Sequence, residues 1–252
     1  MTQKYLILDT ESVFDPYLRE AYQSIDPACE KARIGCRSLV AVALWPIEID
    51  ELGRITTGSL ASWTLQGCGD EASLLKKVFA FMRQHADHVM VTYGGLGVDC
   101  QILQLAAMAA NLTLPRQLAE AQGPRWKDLR HIDLGLALKG PGKTWHHMTE
   151  VLLRLGVPVA PLLGKADPDL RPDDINWWQI SQHCETDVLF TAMVLVAWLR
   201  LQDLAHIHVP AGHLALLKSF LRRRPETVRA PLLRHMVNDI QDNLASDFDV
   251  AA

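Results

Sequence analysis

Four acidic residues stand where the surrounding sequence is apolar. Asp9 and Glu11 close a run that begins Tyr5-Leu6-Ile7-Leu8, Asp99 follows the turn Tyr93-Gly94-Gly95-Leu96-Gly97, and Asp187 lies inside HCETDVLFTAMVLVAWL. Acids are rarely buried without a partner, and like charges held together are costly unless a cation neutralises them. Carboxylate clusters of this kind suit Mg²⁺ or Mn²⁺. Asp9 and Glu11 alternate along a strand, so both carboxylates point to one face at its end. Taken singly, each residue has a plainer reading: a solvated strand end, a helix N-cap at Asp99, or an acid paired with an arginine at Asp187. It is the combination, in order and spacing, that is specific.

The elements carrying these residues follow from the apolar pattern. Tyr5–Leu8 reads as a buried strand ending in Asp9, Ser38–Trp45 as a second and Leu60–Leu65 as a third. Asp70 caps the helix written DEASLLKKVFAFMRQH, His88–Thr92 is another strand, and Asp99 opens a helix through Ala110. His131-Ile132-Asp133 begins a segment ended by Gly140-Pro141-Gly142, with Asp133 capping a helix. Thr144–Leu155 is expected to be helical and closed by Gly156. A loop over 159–172, holding Pro161, Pro168 and Pro172, precedes a long helix capped by Asp173 or Asp174 and running to Leu204. Strands first and helices later indicate an α/β domain.

Composition narrows the function classes. The chain has 252 residues, 49% hydrophobic and 21% charged, which excludes a largely disordered protein. Its apolar run Ala192–Leu199 falls well short of the ~18 residues of a membrane span. The opening MTQKYLILDTES meets acids at once, so no signal peptide is expected. The five cysteines form no CxxC pair, which points to reduced thiols and a cytoplasmic protein. A net charge of −4 argues against a histone-like nucleic-acid coat. That total conceals a basic stretch over 213–236, including Arg222-Arg223-Arg224, and an acidic tail over 237–252 expected to fray.

With these residues in view, the sequence resembles the 3′–5′ exonucleases of the DEDD type on the ribonuclease H-like fold. It is most similar to the stand-alone domains resembling the proofreading exonuclease of family B DNA polymerases. Ile7-Leu8-Asp9-Thr10-Glu11 matches the first motif and Val91 to Asp99, followed by Ile102-Leu103, the second. His183-Cys184-Glu185-Thr186-Asp187-Val188, followed by Thr191, matches the third. The resemblance spans roughly 4–203. It implies a ribonuclease H-like mixed sheet flanked by helices over 1–204, with a helical C-terminal extension over 205–252. It also implies two Mg²⁺ or Mn²⁺ ions held by Asp9, Glu11, Asp99 and Asp187, and single-stranded nucleic acid, DNA rather than RNA, as substrate. Asp9 would bridge the ions, Glu11 and Asp187 would complete one site, and Asp99 would support the other.

The chain departs from the family at two positions. Tyrosine-type members place a tyrosine four residues before the last acid, where this chain has His183; histidine-type members use a histidine five before, where it has Gln182. His183 shares Asp187's helix face and is expected to be the general base, the plainer reading being a local hydrogen bond. Tyr93 replaces the common asparagine and is expected either to stack on a base or to sit in the core. Thr10, Gly94 and Arg222-Arg223-Arg224 are further substrate-binding candidates, the arginines by extending a path for phosphates. A catalytically weakened nucleic-acid- or partner-binding domain, and a hydrolase of small phosphoesters, are the competing readings. The adjacent His146 and His147 do not share a helix face, so a joint metal site is not expected. His131 reads as structural, and Gly140-Pro141-Gly142-Lys143-Thr144 lacks the phosphate-loop pattern. Lys143 and Lys165 are left as possible phosphate contacts, and the tryptophans as core.

Overall fold

The computed structural model describes residues 2–28, 33–119, 130–157 and 174–250. In chain order the elements are β1 (Gln3–Phe14), α1 (Pro16–Ile25), β2 (Arg37–Ile49), β3 (Ile55–Thr57), β4 (Ala61–Thr64), α2 (Leu65–Cys68) and α3 (Glu71–Gln84). There follow β5 (Val89–Thr92), α4 (Asp99–Ala109), β6 (His131–Asp133), α5 (Leu134–Lys139), α6 (Met148–Arg154), α7 (Trp177–Leu201), α8 (Val209–Arg223) and α9 (Ala230–Val250). The six strands form one mixed sheet in the order β3-β2-β1-β5-β6, with β4 pairing β2 beside that path. β1, β2 and β3 are antiparallel neighbours, and β5 and β6 run parallel to β1. This is the mixed sheet flanked by helices expected for a ribonuclease H-like fold.

β1 is central and covered on both faces, which is why its sequence is continuously apolar rather than alternating. Its side chains still divide by parity. Tyr5, Ile7 and Val13 enter the core under α7, whereas Leu6 and Leu8 enter the core under α3 and α4. Asp9 and Glu11 inherit the face of Ile7. The pairing with β2 slips between Glu11 and Ser12, whose partners are Ala41 and Leu39, leaving Val40 as the extra residue. Val40 and Ala41 consequently lie in the same core layer. A bulge of this kind bends a strand and re-aims its side chains, here immediately beside Glu11.

α7 is buried on nearly every side from His183 to Val196, between the sheet and the C-terminal helices. An all-round apolar helix demands such a position. Leu216, Leu217 and Phe220 of α8 and Leu233 and Met236 of α9 share one core with β1 and α7. Residues 202–205 form the turn between α7 and α8, and one core holds residues from both sides of it.

Several elements differ from expectation. β1 and β2 are longer than the apolar runs suggested, and α1 and the three-residue β3 were not among the expected elements. The long helix is capped by Asn176, whose side chain accepts from the Gln179 N–H, and it ends at Leu201. α6 starts only at Met148, because His147 is its N-cap. Within the acidic tail, α9 continues as helix as far as Val250. Asp70 does cap α3, accepting from Ser73 N–H, and Gly156 has the positive φ of +74° that ends α6. The proline loop over 159–172, Asp173, Lys165 and Cys29 lie outside the described residues. No helix among the described residues is long and apolar enough to cross a membrane.

Candidate metal centre

A cavity of about 400 Å³ opens where β1, the turn after β5, the segment before α6, and α7 meet. Asp9, Glu11, Asp99, His183 and Asp187 all line it, so the five expected catalytic residues converge on one space. The sheet parity explains the first two, since both point toward α7. Thr10 points to the opposite face, where its hydroxyl donates to Asp99 Oδ1 at 2.6 Å and ties the second motif to the first. Asp99 is the first residue of α4 and not its cap; the N-cap is Val98, which makes no side-chain capping bond. The cap reading of Asp99 is thereby replaced.

The turn that presents Asp99 is held by Asp133. Its carboxylate accepts from the Gly94 N–H at 2.8 Å and the Leu96 N–H at 2.9 Å, and it caps α5 by accepting from Leu136 N–H. Gly94 has φ +80°, and a Cβ there would stand 2.9 Å from Trp145 Cζ2. Only glycine satisfies both the conformation and the contact. Gly135 also makes room for this indole, since a Cβ there would lie 2.6 Å from it. Trp145 is 43% exposed and lines the cavity, as do Tyr93 and His147. Tyr93 is half-buried, donates its hydroxyl to His146 O at 2.7 Å, and has its pKa pushed up by burial to about 12.

The electrostatics are those of clustered acids. Asp9 is partly buried, and its Oδ2, shielded from solvent, has no hydrogen-bond partner. Burial raises its pKa well above the usual carboxylate range, and the charges of Asp187, Glu11 and Asp99 push in the same direction. Cys184, also buried, is raised by desolvation and by Asp9; it remains a thiol and donates to the Asp9 carbonyl at 3.2 Å. Suitable ligand atoms of Glu11, His183 and Asp187 lie within 4.8 Å of one another. Among the described residues lining the cavity there is no lysine or arginine. A carboxylate with a shielded, open oxygen, set among further acids and with no lysine or arginine among the described lining residues, fits a divalent cation.

One functional neighbour escaped the sequence. Arg229, just before α9, places Nη2 3.0 Å from His183 Nδ1. Burial lowers its guanidinium pKa, and the Asp187 charge opposes that shift. His183 is only 4% exposed, and its Nε2 lies 3.7 Å from both Glu11 Oε1 and Asp187 Oδ2.

Other candidates are placed elsewhere. None of Arg222, Arg223 and Arg224 lines the cavity. Arg222 is exposed, whereas Arg223 donates to Thr57 O at 2.8 Å and to Ser219, and Arg224 pairs with the buried Glu185 at 2.7 Å. His131 is buried against Thr92 Oγ1, in the structural role expected of it. His146 and His147 diverge: one faces Glu150 at 3.9 Å, the other caps α6. Lys143 is exposed and outside the lining. Trp45 is core, but Trp145 and Trp178 are substantially exposed, contrary to the expectation for the tryptophans as a group.

No protein-family model and no curated protein matches the chain. Among solved structures it is similar to the family B DNA polymerase of the hyperthermophilic archaeon Pyrobaculum calidifontis, with 14% identity and a TM-score of 0.48, over 88% of this chain and 26% of that one. It is similar also to E. coli exonuclease I in complex with a dT13 oligonucleotide, with 11% identity and a TM-score of 0.44, over 80% of this chain and 43% of that one. The chain therefore spans less than half the length of either protein.

Proposed function

We propose that the chain is a divalent-metal-dependent 3′–5′ exonuclease that removes nucleotides from single-stranded nucleic acid, DNA in preference to RNA. The observation that carries this reading is the convergence of Asp9, Glu11, Asp99 and Asp187, from three separate elements, on one cavity. Two Mg²⁺ or Mn²⁺ ions held by these acids would, when bound, activate the attacking water and neutralise charge developing on the departing 3′ oxygen.

The chain's own residues hold and shape that site. Thr10 fixes the Asp99 carboxylate, and Asp133 fixes the glycine turn behind it. The Trp145 indole and the Tyr93 ring both line the cavity and offer aromatic faces on which a terminal base can stack irrespective of sequence. Gly94 leaves room for the indole.

The test is a 5′-labelled single strand incubated with Mg²⁺, Mn²⁺ or EDTA, alongside Asp9→Ala and Asp187→Ala. A progressive ladder that needs the metal and is lost in both variants supports the proposal. Retained binding without a ladder would instead identify a nucleic-acid-binding module, and immediate release of a labelled mononucleotide would reverse the direction. A DNA and RNA pair of equal sequence decides the preference.

A further inference from the structure

Arg229 approaches the cavity from behind its lining. A guanidinium carries only donors, so at 3.0 Å His183 Nδ1 must be the acceptor. A neutral imidazole that accepts at Nδ1 carries its proton on Nε2. The opposite tautomer would set two donors against each other at that distance. Nε2 is the nitrogen turned toward the acids, 3.7 Å from both Glu11 Oε1 and Asp187 Oδ2. Both a general base and a metal ligand need a lone pair on that atom.

We infer that Arg229 is a positioning residue that holds His183 as the Nε2–H tautomer, so that His183 donates a hydrogen bond to a phosphate oxygen of the substrate. This revises the expectation that His183 is the base, and it leaves the cations to the four carboxylates. The identity of the acceptor rests on the exonuclease reading; the tautomer does not. A fixed donor aimed where charge develops is already oriented when the reaction begins. Both partners are well fixed for this. His183 is 4% exposed on the buried α7, and the Arg229 carbonyl accepts from Leu233 N–H in the first turn of α9.

Two readouts test the inference on the full chain. Long-range ¹H–¹⁵N spectra of the EDTA-treated protein, with the His183 signals identified by their loss in His183→Ala, should show Nε2 protonated and Nδ1 as an acceptor. In Arg229→Met the Nδ1 resonance should move and the tautomers mix, and Arg229→Lys should restore part of the original pattern. In the nuclease assay Arg229→Met should lower kcat by about ten- to a hundredfold, the usual cost of losing a partner that orients a site residue. KM should change by less than about twofold, since the interaction acts on the reacting state. An Nδ1–H tautomer in the wild-type spectrum, or unchanged His183 signals in Arg229→Met, would overturn the inference. If the chain cleaves no strand at all, the exonuclease reading fails, while the wild-type spectrum still upholds or overturns the tautomer by itself.

Discussion

Arg224 offers a sharp contest between two roles. A basic run suggests phosphate binding, yet the Arg224 guanidinium lies 2.7 Å from Glu185, whose side chain is 3% exposed, and also donates to Leu60 O and Arg223 O. Removing one partner of a buried ion pair typically costs about 3–5 kcal/mol, because the other charge is stranded. Two terms adjust that figure here. Ser62 continues to donate to Glu185, and the Arg224 side chain is 27% exposed, both of which reduce the loss. The two forfeited carbonyl bonds, at about 1 kcal/mol each, restore part of it. Arg224→Ala should therefore lose about 3 kcal/mol, equivalent to a fall in Tm of about 6–12 °C for a chain of this size. Calorimetry and urea unfolding measure it directly. Glu185→Gln should lose less, and the double variant less than the sum of the two, since no charge is then left stranded. The reasoning is refuted if Arg224→Ala melts within about 2 °C of wild type while its single-strand binding loses about one unit of salt slope.

Asp9→Asn should abolish metal-dependent cleavage and, in EDTA, stabilise the protein at neutral pH. The raised pKa of Asp9 means that the folded state binds the proton more tightly than the unfolded chain, so wild-type stability falls as pH rises above the ordinary value of 3.8. The advantage of the variant should accordingly vanish near that pH and grow upward; thermal melts across pH would contradict this if the gap narrowed instead. Added Mn²⁺ should raise the Tm of the wild type more than that of the variant, by differential scanning fluorimetry. Trp145→Ala should weaken single-strand binding by about 1–3 kcal/mol, as expected for one lost base stack, with fluorescence anisotropy as the measure; an unchanged Kd would remove the indole from the binding surface. Gly94→Ala should cost about 1–3 kcal/mol in stability by forcing a strained φ and displacing Trp145, with an accompanying loss of activity, and a neutral result in urea unfolding would contradict the glycine argument.

The acids were legible in the sequence because their chemistry leaves few alternatives: a carboxylate inside an apolar run needs a reason. Strand alternation placed Asp9 and Glu11 on one face without a structure, and helical spacing did the same for His183 and Asp187. What the sequence hides is tertiary. α1 sets its apolar residues Tyr17, Leu18, Ala21, Tyr22 and Ile25 at helical spacing but buries none of them, and β3 is too short to show a pattern. The residues from Thr144 to His147 read as helix by composition, but docking of Trp145 against Gly94 and Gly135 holds them outside it. Asp173, Asp174 and Asn176 are all competent caps, and only the packing of α7 chooses Asn176. Arg229 and His183 are 46 positions apart, and no local pattern could pair them.

The C-terminal arginines show how far placement departs from charge count. Arg223 holds α8 to β3 through Thr57, Arg224 grips Glu185, and Arg229 meets His183. Glu185 and His183 are two residues apart on α7, hence on nearly opposite sides of that helix. Two arginines from one C-terminal segment therefore clasp the helix on either side, within four residues of Asp187. Within a segment whose composition suggests phosphate binding, Arg224 and Arg229 thus brace the element that carries the last acid. On the exonuclease reading, with those guanidiniums committed and no lysine or arginine among the described lining residues, contacts to phosphate at the reacting centre would come from cations held by the carboxylates and from His183. The strong salt dependence expected of a basic groove should then give way to a steeper dependence on divalent ion.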